Sequence, residues 1–397
     1  MRELEKDRGH GRDDYPVRGM WNAILAGIVY EHNSVASLIR ELSRNGQLRF
    51  MCGLEGVPTC SAFSRFLKTL LSKEEEINAI FDKLVKELIE RLPDFGKILA
   101  VDGKAIETHA RPNKKEKADG RRDTDANFGK KVYKGKREDG TTWEKVVSWF
   151  GYKVHLLIDA NYELPVAYTV TKASEAEIPQ AHKLIDQLEK THPDILERCA
   201  YLTADRGYDD GKLITKVWDQ YEIKPIIDIR NMWKDGEETK VVKGMKNVVY
   251  NYRGTVYCYC PETGKRREMA YGGFEKDRET LKYHCPAEHY CSQSCCPGGK
   301  NCPVQKSVRI PLTEDRRVFT PVARSSYKWD TLYKKRPAVE RVNSRLDVSF
   351  GFENHYIKGQ SKMTLRMGMA LCVMLAMAVG RIKENQKDKM RSLVQAV

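Results

Sequence analysis

The sequence predicts an α/β protein in which a mixed β-sheet is flanked by helices and preceded by a helical bundle. From Met20 to Leu92 the apolar residues recur at helical spacing, which is typical of packed amphipathic helices. Short β-rich runs then alternate with helical stretches as far as Ile229, in the order βββαβαβ. Helices resume at Pro337 and again at Met363, after a stretch rich in Gly, Lys and Cys that we interpret as an insertion.

These changes in composition predict three domains. A helical N-terminal domain covers residues 1–93, and the α/β domain covers residues 94–229 and 331–397. The cysteine-rich insertion lies between the two parts of the α/β domain, at residues 230–330. The expected strands of the α/β domain are KILAVDG (97–103), SWFGYKVHLLIDA (148–160), ELPVAYTVT (163–171), CAYLTAD (199–205) and KPIIDI (224–229).

The charge balance favours a polyanionic partner. The chain has 69 Lys and Arg against 55 Asp and Glu, which gives a formal net charge of +14. Nucleic acid is the leading candidate, although composition alone also fits a ribosome-associated protein or a protein of an anionic membrane surface. Residues 111–137, with eleven Lys or Arg and four Asp or Glu, are expected to form a polar loop that is either simply solvated or in contact with a DNA backbone.

No segment is expected to enter a membrane. The first residues are charged with both signs and contain no apolar run, so they do not read as a secretory signal. The longest apolar stretch, Met367 to Gly380, is shorter than the roughly 18 to 20 residues that a membrane span needs. We therefore expect a buried core helix there and a cytoplasmic protein.

Three acidic residues are the candidate catalytic residues. Asp102 and Asp205 each stand at the end of a predicted hydrophobic strand, and Glu340 lies in a helix that begins at Pro337. If the two strands are parallel neighbours, their ends bring both aspartates to one edge of the sheet, where α/β proteins place their sites. The alternative is that each aspartate only caps a turn.

Three such carboxylates suit divalent metal ions. Mg²⁺ and Mn²⁺ prefer carboxylate oxygens, and a strand-held pair with a helical acid can hold two ions bridged by a phosphate. This arrangement is typical of phosphoryl transfer, with Asp102, Asp205 and Glu340 as the Mg²⁺ or Mn²⁺ ligands.

The acids and their surroundings resemble a known enzyme family. The three acids, the β-rich order between them and the late insertion resemble the RNase H-like, retroviral integrase-like catalytic domain of bacterial insertion-sequence transposases with a DDE triad. In that family the segment around the glutamate reads Tyr, two residues, Arg, three residues, Glu, six residues, Lys. Tyr333, Arg336 and Glu340 match this segment, whereas Asp347 stands where the family has Lys. The stretches VDGKAIETHA, GYKVHLLIDANYELPVAYTVT, ADRGYDD and ERVNSRL are also similar to the family's sequences.

The resemblance implies a DNA transposase. Such an enzyme binds the ends of its element and catalyses metal-dependent DNA cleavage and strand transfer. Its partners are double-stranded DNA, as terminal inverted repeats and as target DNA, and at least a dimer is expected on the DNA. The alternatives are an RNase H-like nuclease without strand transfer and a catalytically inactive DNA-binding regulator. The candidate DNA-binding residues are Tyr333, Arg336, Arg341, Arg345 and Lys153, of which Arg341 and Arg345 are expected to replace part of the charge of the missing Lys.

The same resemblance assigns recognition of the element ends to the N-terminal domain. A helix from Thr59 to Leu70, with Arg65 and Lys68, suits a DNA major groove, although a helical bundle with a few basic residues also suits a scaffold.

The cysteines cluster in the insertion. Seven of the eleven lie between residues 258 and 302. Close cysteine pairs separated by a loop suit a structural Zn²⁺, and a small strand-poor insertion gains folding energy from such an ion. Redox disulfides and a degenerate remnant are the alternatives, because the spacings do not match a standard two-pair zinc finger. The candidate Zn²⁺ ligands are Cys258, Cys260, Cys285, Cys291, Cys295 and Cys302.

Overall fold

The N-terminal part of the protein is a bundle of helices. The computed structural model describes residues 2–6, 15–112, 123–137, 139–286, 302–304 and 306–392. The helices of the bundle are α1 (Arg2–Lys6), α2 (Val17–Val29), α3 (Val35–Arg44), α4 (Gly46–Cys52), α5 (Cys60–Leu71) and α6 (Glu74–Arg91). Side-chain oxygens of Ser34, Asn45 and Thr59 cap the first turns of α3, α4 and α5. The predicted bundle is confirmed.

A mixed β-sheet follows the bundle. Its strands are β1 (Ile98–Glu107), β2 (Asn127–Lys136), β3 (Thr142–Asp159), β4 (Leu164–Lys172), β5 (Tyr201–Ala204) and β6 (Lys224–Ile227). The core of the sheet has the order β4-β3-β1-β5-β6. β3 runs antiparallel to β1 and β4, whereas β5 is parallel to both β1 and β6. The predicted mixed sheet is therefore confirmed, and β5 lies directly beside β1.

Helices cover the sheet and join it to the bundle. They are α7 (Glu177–Thr191), α8 (Pro193–Arg198), α9 (Gly211–Tyr221), α10 (Tyr327–Tyr333), α11 (Pro337–Phe350) and α12 (Gln360–Lys383). Bundle and sheet share one hydrophobic core, to which the bundle contributes Phe63 and Phe81, β3 contributes Leu157 and α12 contributes Met369. Because the core is shared, the bundle is packed directly on the sheet that carries the acids.

The helix α12 contains the longest apolar stretch of the sequence, Met367 to Gly380. It is the one helix among the described residues that is long and apolar enough to cross a membrane, but 72% of its most apolar stretch is buried inside the protein. It contacts α6 and β4. This burial agrees with the core helix expected around Met367 to Gly380.

A two-stranded ribbon extends from the sheet where the sequence predicts a polar loop. The expectation of a loop throughout 111–137 is wrong for residues 127–136, because β2 pairs with the first half of β3 from Asn127↔Gly151 to Lys136↔Thr142. Lysines fill much of β2, and they hide the strand pattern that cross-strand pairs such as Phe128↔Phe150 reveal. The ribbon carries exposed apolar side chains at Phe128, Val132, Trp143, Val146 and Val147.

The insertion contains two small sheets and is not poor in strands. Its strands are β7 (Thr239–Val241), β8 (Val248–Asn251), β9 (Val256–Tyr259), β10 (Arg266–Glu268), β11 (Ala270–Glu275), β12 (Thr280–His284) and β13 (Ser307–Pro311). They form the sheets β10-β9-β8-β7 and β11-β12-β13 around a hydrophobic core of their own, which includes Tyr250, Tyr283 and Phe319. The expectation of few strands is wrong because short strands separated by turns leave little periodicity in the sequence.

The cysteines of the insertion lie partly outside the described residues. Cys258 and Cys260 are buried in and directly after β9, and Cys285 and Cys302 are half-buried at the edge of the same core. Cys291 and Cys295 lie outside the described residues. No group of three His, Cys, Asp or Glu in the described part of the chain is placed to hold a metal ion. The Zn²⁺ site stays a prediction.

Candidate active site

Asp102 and Asp205 lie side by side, Asp102 inside β1 and Asp205 directly after β5. The expectation that Asp102 ends its strand is wrong, because β1 continues to Glu107 through its pairing with β3. β1 and β5 pair in register from Ile98↔Tyr201 to Ala100↔Thr203. Asp102 and Asp205 each follow this last pair by two residues, and neighbouring strands are about 4.8 Å apart. The hydrophobic strand sequences thus place the two aspartates at one edge of the sheet.

The backbone next to each aspartate fixes its carboxylate. Oδ1 of Asp102 accepts a hydrogen bond from the amide of Gly103 at 2.8 Å, and Oδ1 of Asp205 accepts one from the amide of Gly207 at 2.7 Å. Asp205 also begins a short 3₁₀ turn after β5. In addition, Nδ2 of Asn343 in α11 lies 3.4 Å from Oδ2 of Asp102. Both carboxylates therefore have set positions before any ligand binds.

Burial and neighbouring charges act on Asp102. Burial raises the pKa of Asp102 to about 6, the ammonium of Lys131 opposes this shift, and the carboxylates of Asp205 and Glu177 add to it. A buried carboxylate whose pKa is raised by burial and by neighbouring carboxylates is typical of a site that binds cations.

Glu340 lies close to this edge but faces another partner. Its side chain is 53% exposed, and its Oε1 accepts a hydrogen bond from the guanidinium of Arg336 at 2.6 Å. Asn343, which contacts Asp102, lies on the same face of α11 one turn later. The structure thus brings Asp102 and Asp205 together and places Glu340 one helical turn away from the contact between Asn343 and Asp102.

Tyr333 and Arg336 approach the same edge. Tyr333 stacks on Trp329, with ring centroids 4.6 Å apart. Burial lowers the pKa of Arg336, but its hydrogen bond to Glu340, followed by further negative charges that include Asp102, raises that pKa overall. Arg336 therefore lies within electrostatic reach of both Glu340 and Asp102.

Asp347, which replaces the lysine of the family segment, has a cationic partner. Its carboxylate forms an ion pair with the ammonium of Lys104, two residues after Asp102 in β1. Both side chains are largely buried, at 12% and 17% exposure. Compared with the family segment, the positive charge here comes from the strand instead of the helix.

Arg341 and Arg345 are not brought to the acids. Arg341 binds the carboxylate of Glu163 with its Nε at 2.7 Å, and Arg345 donates to the backbone oxygen of Glu163. Burial lowers the pKa of Arg345 to about 10. The expectation that they replace the missing lysine at the site is wrong for this arrangement, because they project from a different face of α11 than Glu340.

Two lysines surround a further acid, Glu177. Lys153 is 7% exposed, donates to the backbone oxygen of Glu175 at 3.0 Å and lies 3.5 Å from Oε1 of Glu177. Lys131 of the ribbon donates to the backbone oxygen of Gly103 at 3.3 Å and lies 4.0 Å from the same Oε1. Both ammonium groups are therefore engaged inside the site.

Sequence reasoning missed Glu177, Asn343, Lys131 and Tyr208. Glu177 is the first residue of α7, where a glutamate is common because it stabilises the positive end of the helix dipole. Asn343 has a visible signal, since it follows Glu340 at helical spacing on the same face. Lys131 lies in the segment 111–137, which the sequence predicts to be a polar loop. Tyr208 is a buried residue of the short 3₁₀ turn after Asp205, and nothing in its sequence context indicates a role in a site.

Comparison with known proteins decides the family. The family described as the transposase DDE domain matches residues 93–376, which is more than half of the chain. This chain belongs to the DDE transposases. A second family, described as a transposase domain, matches residues 2–69 of this insertion-sequence transposase.

Solved structures and curated sequences add little to this assignment. The transposase is similar to a piggyBac transposase seen by cryo-electron microscopy as a synaptic complex with hairpin DNA. The sequence identity is 11% and the TM-score 0.39, over 99% of this chain and 74% of the other. No curated protein matches the transposase.

The residues at the edge of the transposase sheet suit a hard divalent cation. All donors there are oxygens, namely the carboxylates of Asp102 and Asp205 and the amide oxygen Oδ1 of Asn343. This Oδ1 is buried and has no hydrogen-bond partner within the described part of the chain. In the present arrangement no three acidic side chains converge on one point, because Arg336 holds Glu340. The donor set fits Mg²⁺ or Mn²⁺.

Proposed function

We propose that this transposase binds the ends of its insertion sequence and carries out metal-dependent DNA cleavage and strand transfer with Asp102, Asp205 and Glu340. The observation that supports the proposal is the in-register pairing of β1 and β5, which sets Asp102 and Asp205 side by side. The helix that carries Glu340 lies along the same edge, through the contact between Asn343 and Asp102.

Each acid has a distinct part in this mechanism. Divalent cations held by these carboxylates would supply activation of water or of a DNA 3′-hydroxyl and stabilisation of the leaving oxygen. Asp102 and Asp205 are fixed by their neighbouring amides, so they form the permanent half of the site. Glu340 joins them when DNA phosphate takes over Arg336, its present partner. Arg336 then orients the phosphate that is cut.

The DNA follows the basic surface around this edge. The ribbon formed by β2 and β3 leads away from the acids and carries exposed Lys130 and Lys145 beside its exposed apolar side chains. In the bundle, Arg65 and Lys68 project into solvent from α5, as a groove-reading helix requires. We assign recognition of the element ends to α5. The working complex contains two or more copies of the chain on paired DNA ends. The cysteines of the insertion bind Zn²⁺.

A plasmid assay tests the proposal. A supercoiled plasmid that carries inverted repeats from the DNA flanking the coding region is incubated with Mg²⁺ or Mn²⁺ and with the native protein or Asp205→Ala. We expect cleavage at the repeat ends and joining to target DNA with the native protein only. Equal nicking by both proteins contradicts the catalytic assignment, and cleavage without joining of paired ends assigns the protein to the nucleases.

A further inference from the structure

A cavity away from the acids lies between the N-terminal bundle and the helix α12. Its volume is about 650 Å³, within the range of about 300–1,000 Å³ that is usual for small-molecule sites. Helices α2, α3 and α5 and the first turns of α12 line it, together with the chain that connects α11 to α12. None of the acids of the candidate active site is among the described residues that line this cavity.

The walls of the cavity are largely apolar. Ile24 of α2, Leu38 of α3 and Met369 of α12 contribute to them, and α5 adds Phe63 and Leu67. Water gains little by filling a space with such walls, whereas an apolar group of a ligand is removed from water there. The walls therefore favour a ligand with an apolar body.

The charged residues that line the cavity are all basic. They are Lys68, Lys358, Lys362 and Arg366, and no Asp or Glu lines it within the described part of the chain. Lys68 and Lys362 are exposed, so they stand at its mouth. Charge complementarity therefore favours an anionic group on the ligand.

Arg366 lacks a counter-charge. Its guanidinium donates to the backbone oxygen of Phe350 at 3.4 Å, near the limit for a hydrogen bond. Burial lowers the pKa of Arg366 to about 10, and no carboxylate of the described residues opposes this shift. A buried cation without a counter-ion is costly. Its presence in the wall of a cavity indicates that an anion from outside the chain supplies the missing charge.

A second polar group of the cavity, the ring of His32, has an unpartnered nitrogen. Nδ1 of His32 lies 2.9 Å from Oγ of Ser37, whereas Nε2 is buried and has no hydrogen-bond partner among the residues that the structure describes. Burial lowers the pKa of His32, Glu41 opposes this shift, and Arg44 and Arg366 add to it. When Nδ1 accepts from the Ser37 hydroxyl, the neutral ring carries its proton on Nε2 and can donate it to an anion.

We propose that this cavity binds a small organic monoanion with an apolar body, of the kind represented by a medium-chain carboxylate. The anionic group pairs with Arg366, and the apolar body packs between α3, α5 and α12. The inference goes beyond the proposed function and does not rest on it.

Binding of octanoate to the full chain tests the inference. Isothermal titration calorimetry measures the affinity of the native protein for octanoate below the concentration at which it forms micelles. Octanol, which lacks the charge, and inorganic phosphate, which lacks the apolar body, are each expected to bind at least about tenfold more weakly. This comparison of three ligands needs no variant of the protein.

Variants on α12 identify the charge that binds the anion. Arg366→Met removes the charge, keeps much of the side-chain length and is expected to weaken octanoate binding at least about tenfold. Arg366→Lys keeps the charge and is expected to bind octanoate more tightly than Arg366→Met. Arg381→Met is the matched control, because Arg381 pairs with Glu384 at 3.8 Å near the other end of α12, and it is expected to bind as the native protein does.

Thermal unfolding gives a second readout and checks that each variant is folded. Without ligand, Arg366→Met is expected to raise Tm by about 2 °C or more, because an uncompensated charge leaves the interior. Octanoate is expected to raise the Tm of the native protein and of Arg381→Met but not that of Arg366→Met.

Several outcomes overturn the inference. They are no octanoate binding by the native protein, equal affinity for octanoate and octanol, native octanoate affinity in folded Arg366→Met, and a lower Tm of ligand-free Arg366→Met. Binding of a single-stranded oligonucleotide in place of octanoate, lost in Arg366→Met, assigns the cavity to DNA and overturns the inference as well. None of these measurements depends on whether the protein cuts or joins DNA, so failure of the proposed function leaves the cavity assignment unchanged.

Discussion

The acids on the strands and the acid on the helix are held in different ways. Asp102 and Asp205 are positioned by the register of β1 and β5 and by amides that immediately follow them. Glu340 is positioned by a side-chain pair with Arg336 on a half-exposed face of α11. Pairs at this helical spacing contribute only about 0.3–0.5 kcal/mol, so that partner is easily exchanged. One half of the site is therefore built into the sheet, and the other half depends on what binds.

The largest expected effect is loss of catalysis at a strand acid. Asp205→Asn should lower DNA cleavage by on the order of 10³-fold or more, because it removes a charged oxygen ligand from the fixed half of the site. The measurement is the rate of end cleavage in Mg²⁺ and in Mn²⁺. Asp219→Asn, at an exposed position of α9, is the control. Cleavage by Asp205→Asn at the control rate would show that Asp205 is not a catalytic residue.

The next effect concerns stability without metal. Asp102 has a pKa of about 6 in the folded protein, mainly because it is buried, against about 3.9 in an unfolded chain. Its ionised form therefore costs stability above pH 6, and this cost disappears as the pH falls from about 6 to about 4. Asp102→Asn should raise the free energy of unfolding by up to about 3 kcal/mol at pH 8.

Urea unfolding in the presence of a chelator measures this difference. The advantage of Asp102→Asn should shrink as the pH falls from about 6 to about 4, because in this range Asp102 is protonated in the folded protein and ionised in the unfolded chain. A variant that is less stable than the native protein at pH 8 would show that the carboxylate is structural and not held for a cation.

A smaller effect is expected at Arg336. Arg336→Met should reduce the slope of log affinity against log salt for DNA ends by about one, because one phosphate contact is lost. Binding is measured at several salt concentrations without divalent metal. Arg91→Met, at an exposed position of α6, should leave the slope unchanged. An unchanged slope in Arg336→Met would mean that Arg336 stays with Glu340 in the complex.

The smallest expected effect is the change in stability when Glu340 is replaced. Glu340→Gln should change the free energy of unfolding by less than about 0.5 kcal/mol at any pH from 5 to 8, because the pair with Arg336 that is lost has the usual helical spacing and leaves Glu340 53% exposed. The free energies of unfolding of Glu340→Gln and Asp102→Asn are measured side by side by chemical denaturation. A change of 2 kcal/mol or more would show that Glu340 is as firmly built into the fold as the strand acids.

Local periodicity predicts most helices and strands of this molecule. It does not predict which way individual side chains point. The hydrophobic runs that lead into Asp102 and Asp205 are enough to place both residues side by side, although β1 continues beyond Asp102. Arg341 and Arg345 were assigned by proximity in sequence, although helical phase turns them toward Glu163.

Contacts between elements that are distant in the chain could not be predicted from the sequence. Glu177 reaches the site only through the packing of α7 on the sheet edge, and its sequence context is that of any helix start. The ribbon strand β2 was hidden because its lysines resemble a solvated loop, while its partners in β3 follow several residues later.

Gly103 and Gly207 restrict which residues can stand beside the acids. Neither has a positive φ, so their backbones are open to any amino acid. Space favours glycine, since the methyl group of alanine at position 207 would lie 2.7 Å from Oδ1 of Asp205 and 3.0 Å from Oε2 of Glu177, and a carboxylate would have to shift. At these two positions the size of the side chain, and not its chemistry, decides which residue is tolerated. A substitution there changes the space around the carboxylates of Asp205 and Glu177 without removing a charge.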